Sequence, residues 1–289
     1  MTVYADYGWI AASWLMLMLS HAPRAVAEQD VPRLRAATLL DAALEISDGP
    51  GAPQEKLAGL QAAGEAAIKE ASENVYLREV IQQARASANQ DVGRQLTIWQ
   101  SKVGEARELL RFEPVEEAPL PEGFPKLTPV GEIRIQQYPT YRVAKTKVPF
   151  LEGRAFFTLF NHIKRRDIAM TAPVEMTYQA EGDALPKKAT MAFLYRSTQQ
   201  GELGTDGSVE VTDVTAHTAV SLGVRGEGSK TQVANAKQYL ETWLQEHTNE
   251  FAVAGPLRVL GYNSPFIPDT KKYCEVQIPV ARIMENRDR

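Results

Sequence analysis

One cysteine, Cys274, and four histidines are all the thiol and imidazole groups in this 289-residue chain. A single thiol excludes an intramolecular disulfide framework and a multi-cysteine metal cluster. Four histidines are poor material for a His-rich metal site. A basic excess is also missing: 32 Lys and Arg stand against 36 Asp and Glu, a net charge of −4. Residues 28–118 carry 10 basic and 16 acidic side chains, and residues 119–289 carry 21 and 19. Neither part has the electrostatic footprint of a nucleic-acid binder. No glycine-rich phosphate loop, G-x-S-x-G elbow or H-E-x-x-H helix occurs, so the common signatures of phosphate binding, serine hydrolysis and zinc proteolysis are excluded.

Long apolar runs are scarce as well. Trp9 to Leu19 is uncharged but only eleven residues long, short of the roughly 20 needed to cross a bilayer as a helix. That length suits the apolar region of a secretory signal, and Ala25-Val26-Ala27 supplies a small-x-small cleavage pattern before Glu28. Residues 1–27 are therefore expected to be a signal peptide, with the mature chain exported to the periplasm or secreted. If that segment stays uncut, residues 9–19 would be a membrane anchor. A buried first helix of the domain is the alternative.

After Pro53 no proline occurs until Pro114, and apolar residues recur at helical spacing. Leu96, Trp99, Val103, Ala106 and Leu110 form one stripe. The pattern predicts helices over 31–47, 54–72, 74–89 and 90–111, packed as a bundle that serves as a spacer or docks a protein partner. Glu113 to Pro129 then holds five prolines and four glutamates in seventeen residues. Proline lacks an N–H and disfavours helix in its predecessor, so 113–129 is expected to be an extended linker with few contacts across it, dividing a 28–112 helical region from a 130–289 domain.

Beyond the linker the period falls from 3.6 to 2. Residues 132–136 and 141–146 alternate about Tyr138-Pro-Thr-Tyr141 and read as a hairpin. A helix over 152–163 follows, then strands near 174–178 and 189–195. After a turn at 201–208 come strands at 209–214 and 216–224, a helix over 230–247, and strands at 257–262 and 273–280. Strand, strand, helix, strand, strand occurs twice, which argues for a pseudo-two-fold α+β domain.

Ile168-Ala-Met-Thr-Ala-Pro-Val174 resembles the signature of the SOUL/haem-binding-protein family. Four more segments resemble that family in the same order: Gln136 to Val143, Ala155 to Phe160, Gly261-Tyr-Asn-Ser-Pro265 and Lys272 to Val276. The resemblance covers about 130–281. It implies a distorted antiparallel β-barrel with two flanking helices, preceded here by an all-helical region, and a groove able to take haem or a related tetrapyrrole. It does not settle the ligand, since related folds hold other small effectors.

A haem site needs an apolar slot, cations for two propionates and, optionally, an axial ligand. Phe156 and Phe160 supply apolar surface on the 152–163 helix. His162 lies over 100° from the centre of their stripe, which makes it a surface histidine flanking the groove rather than an iron ligand. His217 falls on a polar strand face, and His247 continues the inner stripe of the last helix. Lys164, Arg165 and Arg166 either neutralise a helix C-terminus or clamp propionates through paired N–H bonds. Met170 is core filler or groove contact, while Thr171 and Pro173 fix a backbone bend. No metal-binding residue and no catalytic residue is assigned. The expectation is a non-catalytic tetrapyrrole binder. The alternative is an effector-binding module or an enzyme using a strand carboxylate such as Glu175, Glu210 or Glu275.

Overall fold

The computed structural model describes residues 31–149, 152–179 and 187–283. The expected signal segment, 1–27, lies outside the described residues, and no described helix is long and apolar enough to cross a membrane.

Among the described residues four helices precede the sheet: α1 (Val31–Asp48), α2 (Pro53–Glu70), α3 (Val75–Arg85) and α4 (Val92–Arg111). Their boundaries follow from local chemistry. Pro53 starts α2, where a missing N–H costs nothing. The Asn74 side chain accepts from the Leu77 N–H and Asp91 accepts from the Arg94 N–H, capping α3 and α4. The predicted stripe is buried: Trp99, Val103, Ala106 and Leu110 pack with Leu40, Leu60, Leu77 and Ile81 in one apolar core, with Leu96 at its margin.

The rest of the chain is α+β. Ten strands form one antiparallel sheet: β1 (Ile133–Tyr138), β2 (Tyr141–Lys147), β3 (Val174–Gln179), β4 (Lys187–Leu194), β5 (Gly204–Asp206), β6 (Val209–Val214), β7 (His217–Arg225), β8 (Phe251–Val253), β9 (Arg258–Gly261) and β10 (Tyr273–Arg282). Helix α5 (Glu152–Arg165) follows β2 and α6 (Lys230–Glu246) follows β7. Neighbours run β1-β7-β10-β9-β3-β4-β2-β6-β5, with β8 on β10. The first eight read as a palindrome about the β9/β3 seam, which places the repeated pattern in two halves joined there. The closed barrel is corrected: β1 and β5 end the path without pairing to each other, so the sheet is open.

The hairpin is corrected too. β1 pairs with β7, and β2 pairs with β4 and β6. Tyr138 sits opposite His217 and Tyr141 opposite Val214, so the chain bends at 139–140 beside the bend at 215–216. Each half lends its first strand to the other half's second. Alternation alone fixes a strand's faces and leaves its partner open.

The proline-rich stretch is extended, as proline dictates, but it is no free tether. Leu120, Phe124 and Leu127 pack into the core formed by Tyr138, Tyr141, Leu194, Tyr262 and Tyr273. The Thr128 N–H donates to Glu275 Oε1 at 2.6 Å, and the Glu122 N–H donates to the Arg196 carbonyl at 2.9 Å. Residues 113–129 are thus a strap across the sheet. The bundle docks at its end, where the Val75 N–H reaches the Gly131 carbonyl at 2.7 Å and Asn74 Nδ2 reaches the Val130 carbonyl at 2.8 Å.

Candidate functional site

Two places in the sheet domain concentrate chemistry, one polar and one apolar. The polar one lies between sheet and strap. Glu275 is 1% exposed. Its Oε1 accepts from the Thr128 N–H and the Tyr273 hydroxyl (3.1 Å), and its Oε2 from the Tyr262 hydroxyl (3.0 Å) and Gln277 Nε2 (2.7 Å). Burial pushes its carboxyl above the usual carboxylate range, and the Thr128 N–H and the tyrosine hydroxyls oppose that rise. Beside it Arg258 pairs with Glu175 at 3.3 Å and donates to the Tyr141 hydroxyl and to Gln277 Oε1 at 2.9 Å each. The Arg258 guanidinium also lies over the Tyr138 ring, 4.7 Å from its centre.

A carboxylate so fully engaged and sealed has no lone pair facing a substrate, so the structure does not support Glu275 as an acid or base. Glu175 is committed to Arg258 and Tyr141. Glu210 is exposed and faces Lys145 at 3.4 Å. Glu175 and Glu275 are buried, although both lie on strands, because both faces of this sheet are covered, one by helices and the other by the strap.

The apolar place is a cleft of about 400 Å³ beside α5. Phe156 and Phe157 form its helical side, Met170 to Ala172 and Val174 of the signature its floor, with Met191 from β4 and Tyr262 to Phe266 closing the far side. Phe157 is 45% and Phe266 51% exposed, so two aromatic rings stand at the lips. The Phe156 and Phe160 rings are parallel, with centroids 6.2 Å apart. The Thr171 hydroxyl donates to the Leu194 carbonyl at 2.6 Å, which ties the signature to β4. Pro173 is buried after a cis peptide bond.

The expected site residues therefore divide. Phe156, Met170 and Thr171 line the cleft, while Phe160 continues the aromatic face one turn further on. His162 is corrected: it is fully buried, with Nδ1 2.9 Å from Asp206 Oδ2 and Nε2 3.0 Å from the Tyr195 hydroxyl. The buried face of α5 is Ala155, Leu159, His162 and Ile163, spacing i, i+4, i+7, i+8. The phenylalanines flank that face; reading them as its centre put His162 outside.

The three cations separate as well. Arg165 and Arg166 lie 3.1 and 3.4 Å from Asp206. The His162 hydrogen bond, aided by these two guanidinium groups, holds the Asp206 carboxyl below the usual range. Lys164 makes no ion pair among the described residues and is exposed. At about 100° per residue it falls close to the direction of Phe157 and Phe160. It lies on the aromatic face, about 12 Å along the axis from Phe156 at 1.5 Å per residue.

The other histidines are occupied elsewhere. His217 stacks on Tyr138 with ring centres 5.3 Å apart. Its expected polar face is interior, since Ala219 and Ser221 on the same side of β7 are fully buried. His247 stacks on Trp243 at 3.8 Å. No cluster of three His, Cys, Asp or Glu suited to a metal exists among the described residues. Burial pushes the Cys274 thiol up to about 12, which makes it an inert core group.

Phe157, Tyr262 and Phe266 were not expected in the site. Phe157 on an otherwise exposed helix face, and Phe266 in a loop, are large apolar groups where the pattern calls for polar ones, and that is the signal they offer.

The sequence profile of the SOUL heme-binding protein family matches residues 126–279, just over half the chain. The chain belongs to that family. The match leaves the bundle and most of the strap outside the SOUL domain. A search of curated proteins gives no match. Among solved structures, the EcmrR C-terminal domain is 17% identical with a TM-score of 0.40, covering 53% of this chain and 98% of that one. A hydrolase from Listeria innocua is 12% identical with a TM-score of 0.39, covering 53% and 94%.

Proposed function

We propose that the SOUL domain binds haem or a related tetrapyrrole in the cleft beside α5, without catalysing a reaction on it. The observation that carries this is the cleft: an apolar slot with aromatic rings at its lips, built on the family signature. Its volume falls within the roughly 300–1,000 Å³ range of small-molecule sites. It suits part of a flat macrocycle, whose remainder would lie along the Phe156–Phe160 face of α5. Phe156, Phe157, Met170 and Phe266 would hold the ring by apolar contact, and Lys164 would reach a peripheral carboxylate. The residues fit the macrocycle better than its iron, because both nitrogens of His162 are already bonded and the remaining described histidines lie outside the cleft. A bound haem would supply its iron and its colour; this chain's side chains would supply the slot and the charge.

The proposed setting is outside the cytoplasm, supported by the 9–19 apolar run and the Ala25-Val26-Ala27 pattern. The partners proposed are the tetrapyrrole and a protein docking on the bundle. No feature of the sequence recommends nucleic acid.

Titration of the purified chain with hemin and with metal-free protoporphyrin IX tests the reading. Saturable binding of both at micromolar concentration, weakened by Phe266→Ala, is expected. Absence of any saturable absorbance or fluorescence change would sink it.

A further inference from the structure

Two of the cleft's boundaries come from distant parts of the chain, the 171–172 stretch of the signature and the 261–266 loop. Both are tied to the same five residues of the strap. Glu117 Oε2 accepts from the Ser264 N–H at 2.6 Å, and its Oε1 from the Ser264 hydroxyl at 2.8 Å. The Val115 carbonyl accepts from Asn263 Nδ2 at 2.8 Å, and the Pro119 carbonyl accepts from the Ala172 N–H at 3.1 Å. Ala172 and Tyr262 face the cleft on one side and a second hollow under the strap on the other. Helix α4 ends at Arg111, and the next residue, Phe112, stacks on Tyr273 with ring centres 6.5 Å apart.

We infer that residues 115–119 are the positioning element of the cleft, with Glu117 holding the 263–266 wall, so that ligand occupancy and docking of the helical bundle are linked. This rests on the cleft being the ligand site. The physical reason is that residues 263–266, beyond the end of β9, have a single backbone-to-backbone bond among the described residues, from the Ile267 N–H to the Ser264 carbonyl at 3.3 Å. A carboxylate accepting two bonds from one residue fixes it more firmly than neutral contacts do. Glu117 lies only six residues from the end of α4, so displacing the bundle pulls on the acceptors that hold both walls. Linkage then requires the converse: a ligand that needs the ordered wall also stabilises the strap by the same factor.

The test uses the full chain with protoporphyrin IX as probe. Glu117→Ala is expected to weaken binding about 10-fold, the scale of lost charge-assisted bonds, with Glu117→Gln recovering part of the loss. Ser264→Ala combined with Glu117→Ala should add little further. Amide hydrogen exchange at 261–266 should accelerate in Glu117→Ala, and saturating porphyrin should slow exchange at 115–119 in the wild type. Ser229→Ala, which removes the cap of α6 away from the cleft, serves as a control for plain destabilisation and should leave affinity unchanged. Wild-type binding with unchanged affinity in Glu117→Ala overturns the inference and leaves the proposed function standing. If the wild type binds no porphyrin, the proposed function fails, and exchange at 261–266 still decides the role of Glu117: acceleration upholds it as the wall's anchor and no change overturns it.

Discussion

The sheet domain holds two concentrations of chemistry separated by one residue, Tyr262. Its ring lines the apolar cleft while its hydroxyl donates to Glu275 in the polar interior. The polar side has the residue types usually associated with catalysis, two carboxylates, an arginine, tyrosines and a histidine, yet its groups answer one another except at Arg258 Nη2 and His217 Nε2, which are buried without a partner. The apolar side has no charge in its lining among the described residues, yet its rings are open to solvent. Satisfied groups stabilise a fold; unsatisfied surface recognises something else. Local saturation, more than residue type, marks one side as structural and leaves the other as the surface proposed to bind.

The sharpest way to break this contrast is to empty the polar side. Glu275→Leu strands the Tyr262, Tyr273, Gln277 and Thr128 donors and should cost about 3 kcal/mol or more, read as a shift in the urea midpoint. Porphyrin affinity per folded molecule should stay within about 2-fold, allowing for the small strain passed through Tyr262. A larger loss of affinity than of stability would erase the distinction.

His162→Ala should come next, at about 2–3 kcal/mol of stability, because it opens a cavity, leaves the Tyr195 hydroxyl without its partner and removes one of the three groups that hold Asp206. Its effect on porphyrin should be smaller than that of Lys164→Ala. The reverse order would restore histidine to the binding site.

On the apolar side Phe266→Ala should weaken porphyrin by about 5–10-fold, the scale for losing one half-exposed aromatic contact. It should barely move the thermal midpoint. Lys164→Ala should cost about 3-fold, as an exposed ion pair does, and Arg165→Ala less, since Asp206 already engages that side chain.

The smallest effect is in pH. Burial and the nearby Arg258 charge lower the His217 pKa below its ordinary 6.5. Its folded form thus resists protonation, and its contribution is intact above about pH 6.5. That contribution is lost as pH falls from there toward the folded value, because the unfolded chain takes up the proton first. Asp206, held low, adds stability above its unfolded value and loses it only at more acid pH. His217→Phe should flatten the stability profile just below pH 6.5 and leave the acid limb in place, as read by denaturation midpoints across pH 4 to 8.

Much of the fold was legible. All four bundle helices begin and end within four residues of the periodic pattern, because caps and stripes are local. The signature at 168–174 pointed to the cleft floor. What failed was non-local. Tyr138-Pro-Thr-Tyr141 looked like a hairpin because alternation is blind to strand partners. The 113–129 stretch looked like an extended linker with few contacts because proline content reports extension and says nothing of what Leu120, Phe124 and Leu127 press against. His162 was misplaced because bulky Phe156 and Phe160 masked Ala155 as the marker of the buried face.

The sequence by itself determined which segments are helix, strand and extended chain, and which short motif marks the family, since these rest on periodicity, caps, proline geometry and residue identity within a few positions. Tertiary structure alone decided that the strap seals Glu275, that His162 faces inward, and that Glu117 reaches Ser264. Each depends on groups from 33 to 147 positions apart meeting in a space whose solvent has been removed, and burial, which sets the energy of every polar group, is a property of that meeting.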